Sequence, residues 1–144
     1  MFKRSSNESR LQHVPGLEGC SAAELDKLEQ SMDTSMVASG RTLMVEGEPA
    51  REGFLIVTGT AVVTRAGDEL ATLKPGDIVG EMGLLDKEPR TATVTATSDM
   101  EVRAFSAPQF ASLELQEPFR RLLTRRLSAR LRAADERASA TSSI

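Results

Sequence analysis

GFLIVTGTAVVTRAG, residues 53–67, is the stretch that decides the fold. It holds two apolar runs, FLIV at 54–57 and AVV at 61–63, separated by Gly59. Both runs are rich in β-branched residues and too short for helices, so they read as strands. Gly59 fits a hairpin turn, because glycine takes positive φ without steric cost, and Gly67-Asp68 fits a second one.

The same texture extends outward over about 35–105. TLMVEG at 42–47, DELATL at 68–73, RTATVTAT at 90–97 and EVRAFS at 101–106 are short and rich in Thr, Val, Leu and Ala. Gly47, Gly53 and Pro75-Gly76-Asp77 punctuate them. Short strands at close spacing predict an all-β sandwich or barrel, and two small sheets in a jelly-roll arrangement close such strands best.

Helical patterns flank this block. Ser21 followed by Glu24 forms a capping-box pattern, and Leu25, Leu28 and Met32 share one face, which predicts a helix over 21–32. Pro108 suits the first turn of a short helix that runs through Phe110 and Leu113. A second helix starts near Glu117-Pro118. There Phe119, Leu122, Leu123, Leu127, Leu131 and Ala134 step by three or four into an apolar stripe. The expected architecture is mainly β: a double-sheet, jelly-roll-like β-roll with an N-terminal helix and two C-terminal helices. Residues 1–12 read as a disordered N-terminal segment, 13–135 as one domain and 136–144 as a flexible tail.

Composition narrows the function. Hydrophobic residues make up 40% and charged residues 27%, an ordinary balance for a globular protein. No apolar run reaches the roughly 20 residues of a membrane span, and MFKRSSNESR lacks the apolar core of a signal peptide, so a cytoplasmic location without membrane insertion is expected. Cys20, the single cysteine, rules out an internal disulfide and reads as a small buried hydrophobe. A net charge of −3 and 3% aromatics speak against direct nucleic-acid binding. A metal-dependent jelly-roll enzyme needs clustered histidines, and the chain has one, His13, so neither catalysis nor a metal cofactor is expected.

GEMGLLDKEPRTATV, residues 80–94, carries the chemistry. Gly80 and Gly83 let the backbone approach a ligand, and MGLL can form one helical turn whose first N–H groups favour an anion. Arg90 offers a planar fork of donors for a phosphate, and Thr91 adds a hydroxyl. Glu81 would repel a phosphate, so ribose hydroxyls are its natural partner. A plain surface ion pair between Glu81 and Arg90 is the alternative that residue type and spacing leave open.

The run Gly80-Glu81, Met82-Gly83-Leu84-Leu85, Asp86 to Pro89, then Arg90-Thr91-Ala92-Thr93-Val94 resembles the phosphate-binding cassette of the cyclic nucleotide-binding domain family. VPGLEGCSAAELDKL resembles that family's entry helix, EGEPAREGFLIVTGTAVV its central hairpin, with Gly47 and Gly59 where the family places glycines, and LKPGDIVGE the lead into the cassette. Val79 departs from the aromatic residue that the family often has there. The resemblance covers about 13–134. It implies a cyclic nucleotide, cyclic AMP ahead of cyclic GMP, with Thr91 keeping the second base open. It assigns Glu81 to the ribose 2′-hydroxyl and Arg90 to the cyclic phosphate. Backbone N–H groups near Gly80, Met82, Gly83 and Leu84, with Thr91 and Ala92, complete the phosphate nest.

In the family the last helix closes over the base. That makes Phe119, Leu123, Leu127, Arg130 and Leu131 lid or hinge candidates and points to a protein effector or a homodimer through that helix. Arg120, Arg121, Arg125, Arg126, Arg130, Arg132 and Arg137 read as its solvated basic face, with an acidic partner or a nucleic acid as the sharper reading. The helix pair of a winged helix-turn-helix does not follow. The expected function is a nucleotide sensor that relays occupancy through this helix. The alternatives are an assembly module that keeps the fold without the ligand and the ligand domain of a truncated transcription regulator.

Overall fold

The computed structural model describes residues 9–125. A turn of 3-10 helix, Arg10–His13, leads into α1, Ala22–Gln30. Eight strands and a short helix follow: β1 Asp33–Val37, β2 Thr42–Met44, β3 Gly53–Thr58, β4 Ala61–Arg65, β5 Asp68–Leu73, β6 Ile78–Val79, α2 Glu81–Asp86, β7 Thr93–Ala96 and β8 Met100–Phe105. Then come α3, Ala107–Leu113, and a helix, α4, that begins at 117 and is described through 125. The strands form two four-stranded sheets, β1-β8-β3-β6 and β2-β7-β4-β5, all of whose neighbours are antiparallel. This is the expected β-roll with helices at both ends.

The two sheets differ in how they are covered, which explains their sequences. On β3, Leu55 and Val57 face the helices while Phe54 and Ile56 face the second sheet. Because both faces of β3 are buried, FLIV reads as an unbroken apolar run. The β2-β7-β4-β5 sheet has one covered face, so β7 alternates between partly buried Thr93 and Thr95 and fully buried Val94 and Ala96. Phe105, Phe110 and Phe119 join β8, α3 and α4 through ring contacts with centroids 5.7–5.9 Å apart.

The helices start where their caps predict. Ser21 caps α1 in a full capping box with Glu24, and Leu25, Leu28 and Met32 are buried. Pro108 lies in the first turn of α3, behind a second capping box of Ser106 and Gln109.

Four expectations need correction. Gly59 has positive φ, but β3 and β4 do not pair there; the chain crosses from one sheet to the other. The hairpin expected at Gly67-Asp68 turns instead at Ala66-Gly67, both at positive φ, and Asp68 already pairs with Arg65. Strands β1 and β6 were not foreseen, the first being polar and the second two residues long. Ser9–Gln12, expected to belong to a disordered segment, contribute to the 3-10 turn and bury Leu11 completely. Residues 1–8 and the tail at 136–144 lie outside the described residues.

A candidate cyclic nucleotide site

Helix α2 and the segment between it and β7 border a cavity of about 450 Å³, which Arg90, Asp86 and Glu88 line while Glu81 lies buried at the start of the helix. The size suits a small organic ligand. Val63, Leu70, Ala71, Leu73, Val79 and Val94 form an apolar wall from β4, β5, β6 and β7. Gly80, Met82, Gly83, Arg90, Thr91 and Ala92 form the polar side. Leu84 is buried in the helical core, so its side chain faces away from a ligand.

Gly80 is the N-cap of α2 with φ 85° and supplies no side-chain cap. The first-turn N–H groups of α2 are therefore uncapped by this residue. Glu81, the first residue of the helix, is 1% exposed. A carboxylate in the first turn complements the helix dipole.

Arg90 is held at both ends. Its backbone N–H donates to the Glu48 carbonyl at 2.9 Å, and its own carbonyl accepts from the Gly47 N–H at 2.8 Å. Its Nη1 donates to the Gly80 carbonyl at 2.9 Å and its Nη2 donates to the Glu52 carbonyl. Burial pulls its pKa below the ordinary guanidinium value, and the charges of Glu81 and Glu52 offset part of that. The two glycines make room for this arginine rather than merely thinning the backbone. A Cβ on Gly80 would lie 3.0 Å from Arg90 Nη1 and 2.7 Å from Met44 Cε. One on Gly83 would lie 3.0 Å from Nη1 and 2.6 Å from the Ala50 Cβ.

Of the cassette residues singled out in the sequence, Gly80, Met82, Gly83, Arg90, Thr91 and Ala92 line the cavity, whereas Glu81 and Leu84 are buried and do not line it. The structure does not bring Phe119 or Leu123 to the cavity. Phe119 is buried in the aromatic cluster and Leu123 packs against the helical core. Leu127, Arg130 and Leu131 lie outside the described residues. Arg65 was missed: it lines the cavity, and its Nε donates to the Thr91 carbonyl at 3.0 Å. Cys20 is half-buried against the helical core, and burial first, then the charge of Glu24, raises its pKa. Among the described residues no helix is long and apolar enough to cross a membrane, and no His, Cys, Asp and Glu cluster could hold a metal.

A β-roll with a glycine-started helix, a buried carboxylate and a guanidinium beside one cavity defines a class. The family profile described as cyclic nucleotide-binding domain matches residues 35–117. The chain belongs to that family. It is 35% identical over 113 residues to a cAMP-dependent protein kinase regulatory subunit of Yarrowia lipolytica, across 77% of this chain and 30% of the relative. Among solved structures it resembles the catabolite activator protein of Thermus thermophilus, with a TM-score of 0.73 and 28% identity over 93% of this chain and 63% of that one. It also resembles a cAMP-binding acyltransferase of Mycobacterium smegmatis, with a TM-score of 0.70 and 30% identity over 83% of this chain and 40% of that one. The chain spans about a quarter to a third of the length of the curated relatives it matches.

Proposed function

We propose that this chain is a cyclic AMP sensor that regulates a protein partner through α4. The observation that carries the reading is Arg90 lining a cavity with Gly80, Gly83 and Thr91 on its side and an apolar far wall, with the buried carboxylate of Glu81 close enough to act on the Arg90 charge. Each member has a distinct chemical use. The Arg90 guanidinium, drawn out of water, donates to two neutral carbonyls. A cyclic phosphate is a better acceptor, because it is an anion whose oxygens a planar guanidinium fork can bind in bidentate fashion. Arg90, Thr91 and the N–H groups of Gly80, Met82, Gly83, Leu84 and Ala92 take the phosphate. Glu81 takes the ribose 2′-hydroxyl, and the apolar wall takes the purine. The names of the relatives favour cyclic AMP over cyclic GMP: they include cAMP-dependent protein kinase regulatory subunits and a cAMP-binding acyltransferase.

The relay has a physical route. Helix α2 carries the site and contacts α3, α3 carries Phe110, and Phe110 meets Phe119 of α4 edge-on at 5.9 Å. A ligand that shifts α2 acts on α4 through this cluster by as much as its affinity differs between two packings. The chemistry is binding and signalling rather than catalysis.

Titration calorimetry of the wild-type chain and Arg90→Ala with cyclic AMP and with cyclic GMP tests the reading. The wild type should bind cyclic AMP saturably and more tightly than cyclic GMP. Arg90→Ala should lose about 2–5 kcal/mol, or some thirtyfold and more. No saturable heat with either nucleotide would sink the sensor and leave an assembly module.

A further inference from the structure

We propose that Arg65 is a positioning residue for the phosphate-binding arm, acting through the Thr91 carbonyl. This rests on the cyclic nucleotide reading above. The backbone ladder between β4 and β7 ends at the pair Thr64 and Thr93. One step further, Arg65 pairs with Asp68 across its own hairpin, and Ala92 and Thr91 peel away from the sheet to line the cavity. No strand continues to orient their peptide groups. The Arg65 side chain takes over that task, its Nε donating to the Thr91 carbonyl at 3.0 Å.

The peptide that joins Thr91 to Ala92 is planar and trans, so its N–H points opposite to its C=O. Holding the carbonyl toward Arg65 therefore turns the Ala92 N–H away from Arg65. One side-chain bond thus sets the direction of a donor assigned to the phosphate. The neighbours are braced in the same way from the loop after β2. Arg90 is bonded by Gly47 and Glu48, and the Glu46 N–H donates to Thr93 Oγ1 at 3.0 Å.

The turn that aims Arg65 is itself strained and tied. Ala66 has φ 52°, an unusual conformation for a residue with a Cβ. Its N–H donates to Glu46 Oε1 at 3.0 Å. Glu46 thus links the hairpin tip to the strand that carries the arm. Residues 90, 91 and 93 are each held by bonds from outside the arm, and Arg65 supplies the one at 91.

The test is calorimetry with cyclic AMP on wild type, Arg65→Met and Arg65→Lys at low and high salt, with the Ala92 amide followed by two-dimensional NMR. Wild type should bind, and Arg65→Met should bind about 3- to 10-fold more weakly, the worth of one exposed hydrogen bond. That ratio should persist at high salt, because positioning is not screened as simple attraction is. The shift of the Ala92 amide on saturation should shrink in Arg65→Met. Arg65→Lys, which keeps the charge but not the fork, should recover affinity only together with the Ala92 shift. Unchanged affinity and an unchanged Ala92 shift in Arg65→Met would overturn the proposal. So would a ratio that vanishes at high salt, or full recovery by Arg65→Lys without the Ala92 shift. A flat wild-type titration would instead remove the nucleotide reading, and this inference with it.

Discussion

Arg90 and Arg103 are both drawn away from bulk water, and the protein treats them in opposite ways. Arg103, on β8, is 3% exposed. Its Nε and Nη2 donate to Glu29 of α1 at 2.7 and 3.2 Å, and its Nη1 donates to Glu101 at 2.7 Å. Burial alone would depress its pKa, but the bonds to and charges of Glu29 and Glu101 reverse the sign and raise it. Arg90 donates to two backbone carbonyls, and its pKa stays lowered. One arginine is bound to two carboxylates inside the fold. The other is held in shape by neutral groups that a phosphate can replace. The difference separates a charge that joins α1 to the sheet from one that, in the proposed function, is kept for a ligand.

Breaking the first arrangement should produce the largest effect. Arg103→Met leaves Glu101, itself buried, without its closest cation. The expected loss of stability is about 3–5 kcal/mol, read from the urea midpoint. Arg90→Met strips bonds to two neutral carbonyls, so its stability should fall less than that of Arg103→Met while nucleotide affinity collapses. Equal destabilisation by the two variants would erase the distinction.

Gly83→Ala presses on Arg90 without touching its charge. The added Cβ meets the Ala50 Cβ at 2.6 Å and Arg90 Nη1 at 3.0 Å, so α2 or the loop must move. Overpacking of this kind costs about 1–3 kcal/mol. The guanidinium would be displaced as well, so cyclic AMP affinity should fall even where the variant is fully folded. A folded Gly83→Ala with wild-type affinity would show that the arginine tolerates more positions than its tight surroundings suggest.

These residues were unequally legible in the sequence. FLIV announced a strand because both faces of β3 are buried and polar residues are excluded from it. Its pairing was not legible at Gly59, since a glycine turn serves a hairpin and a crossing between sheets equally well. The polar strand β1 sits at a sheet edge, where exposure hides the pattern. Glu81 and Arg90 stood out by residue type within a glycine-bearing segment. Arg103 carried a fainter signal: two opposite charges two residues apart, Glu101 and Arg103, inside an otherwise apolar strand. Arg65 carried none, because its partner is a backbone carbonyl, and every residue has one.

Arg10 gives the finest measure of the contrast, because it shares a partner with Arg103. Its Nε lies 3.2 Å from Glu101 Oε1, on the carboxylate oxygen that Arg103 does not use. The Arg10 side chain is 67% exposed, whereas that of Arg103 is 4% exposed. Water and salt therefore compete for Arg10, and Arg10→Ala should cost about 0–1 kcal/mol, a difference that high salt erases. Arg103→Met should keep its deficit under the same salt, since a buried pair is screened far less. Chemical denaturation with urea at low and high salt on both variants separates the two. A salt-proof loss in Arg10→Ala would place the 3-10 turn inside the buried network and make Glu101 the shared hub of the N-terminal segment and the sheet.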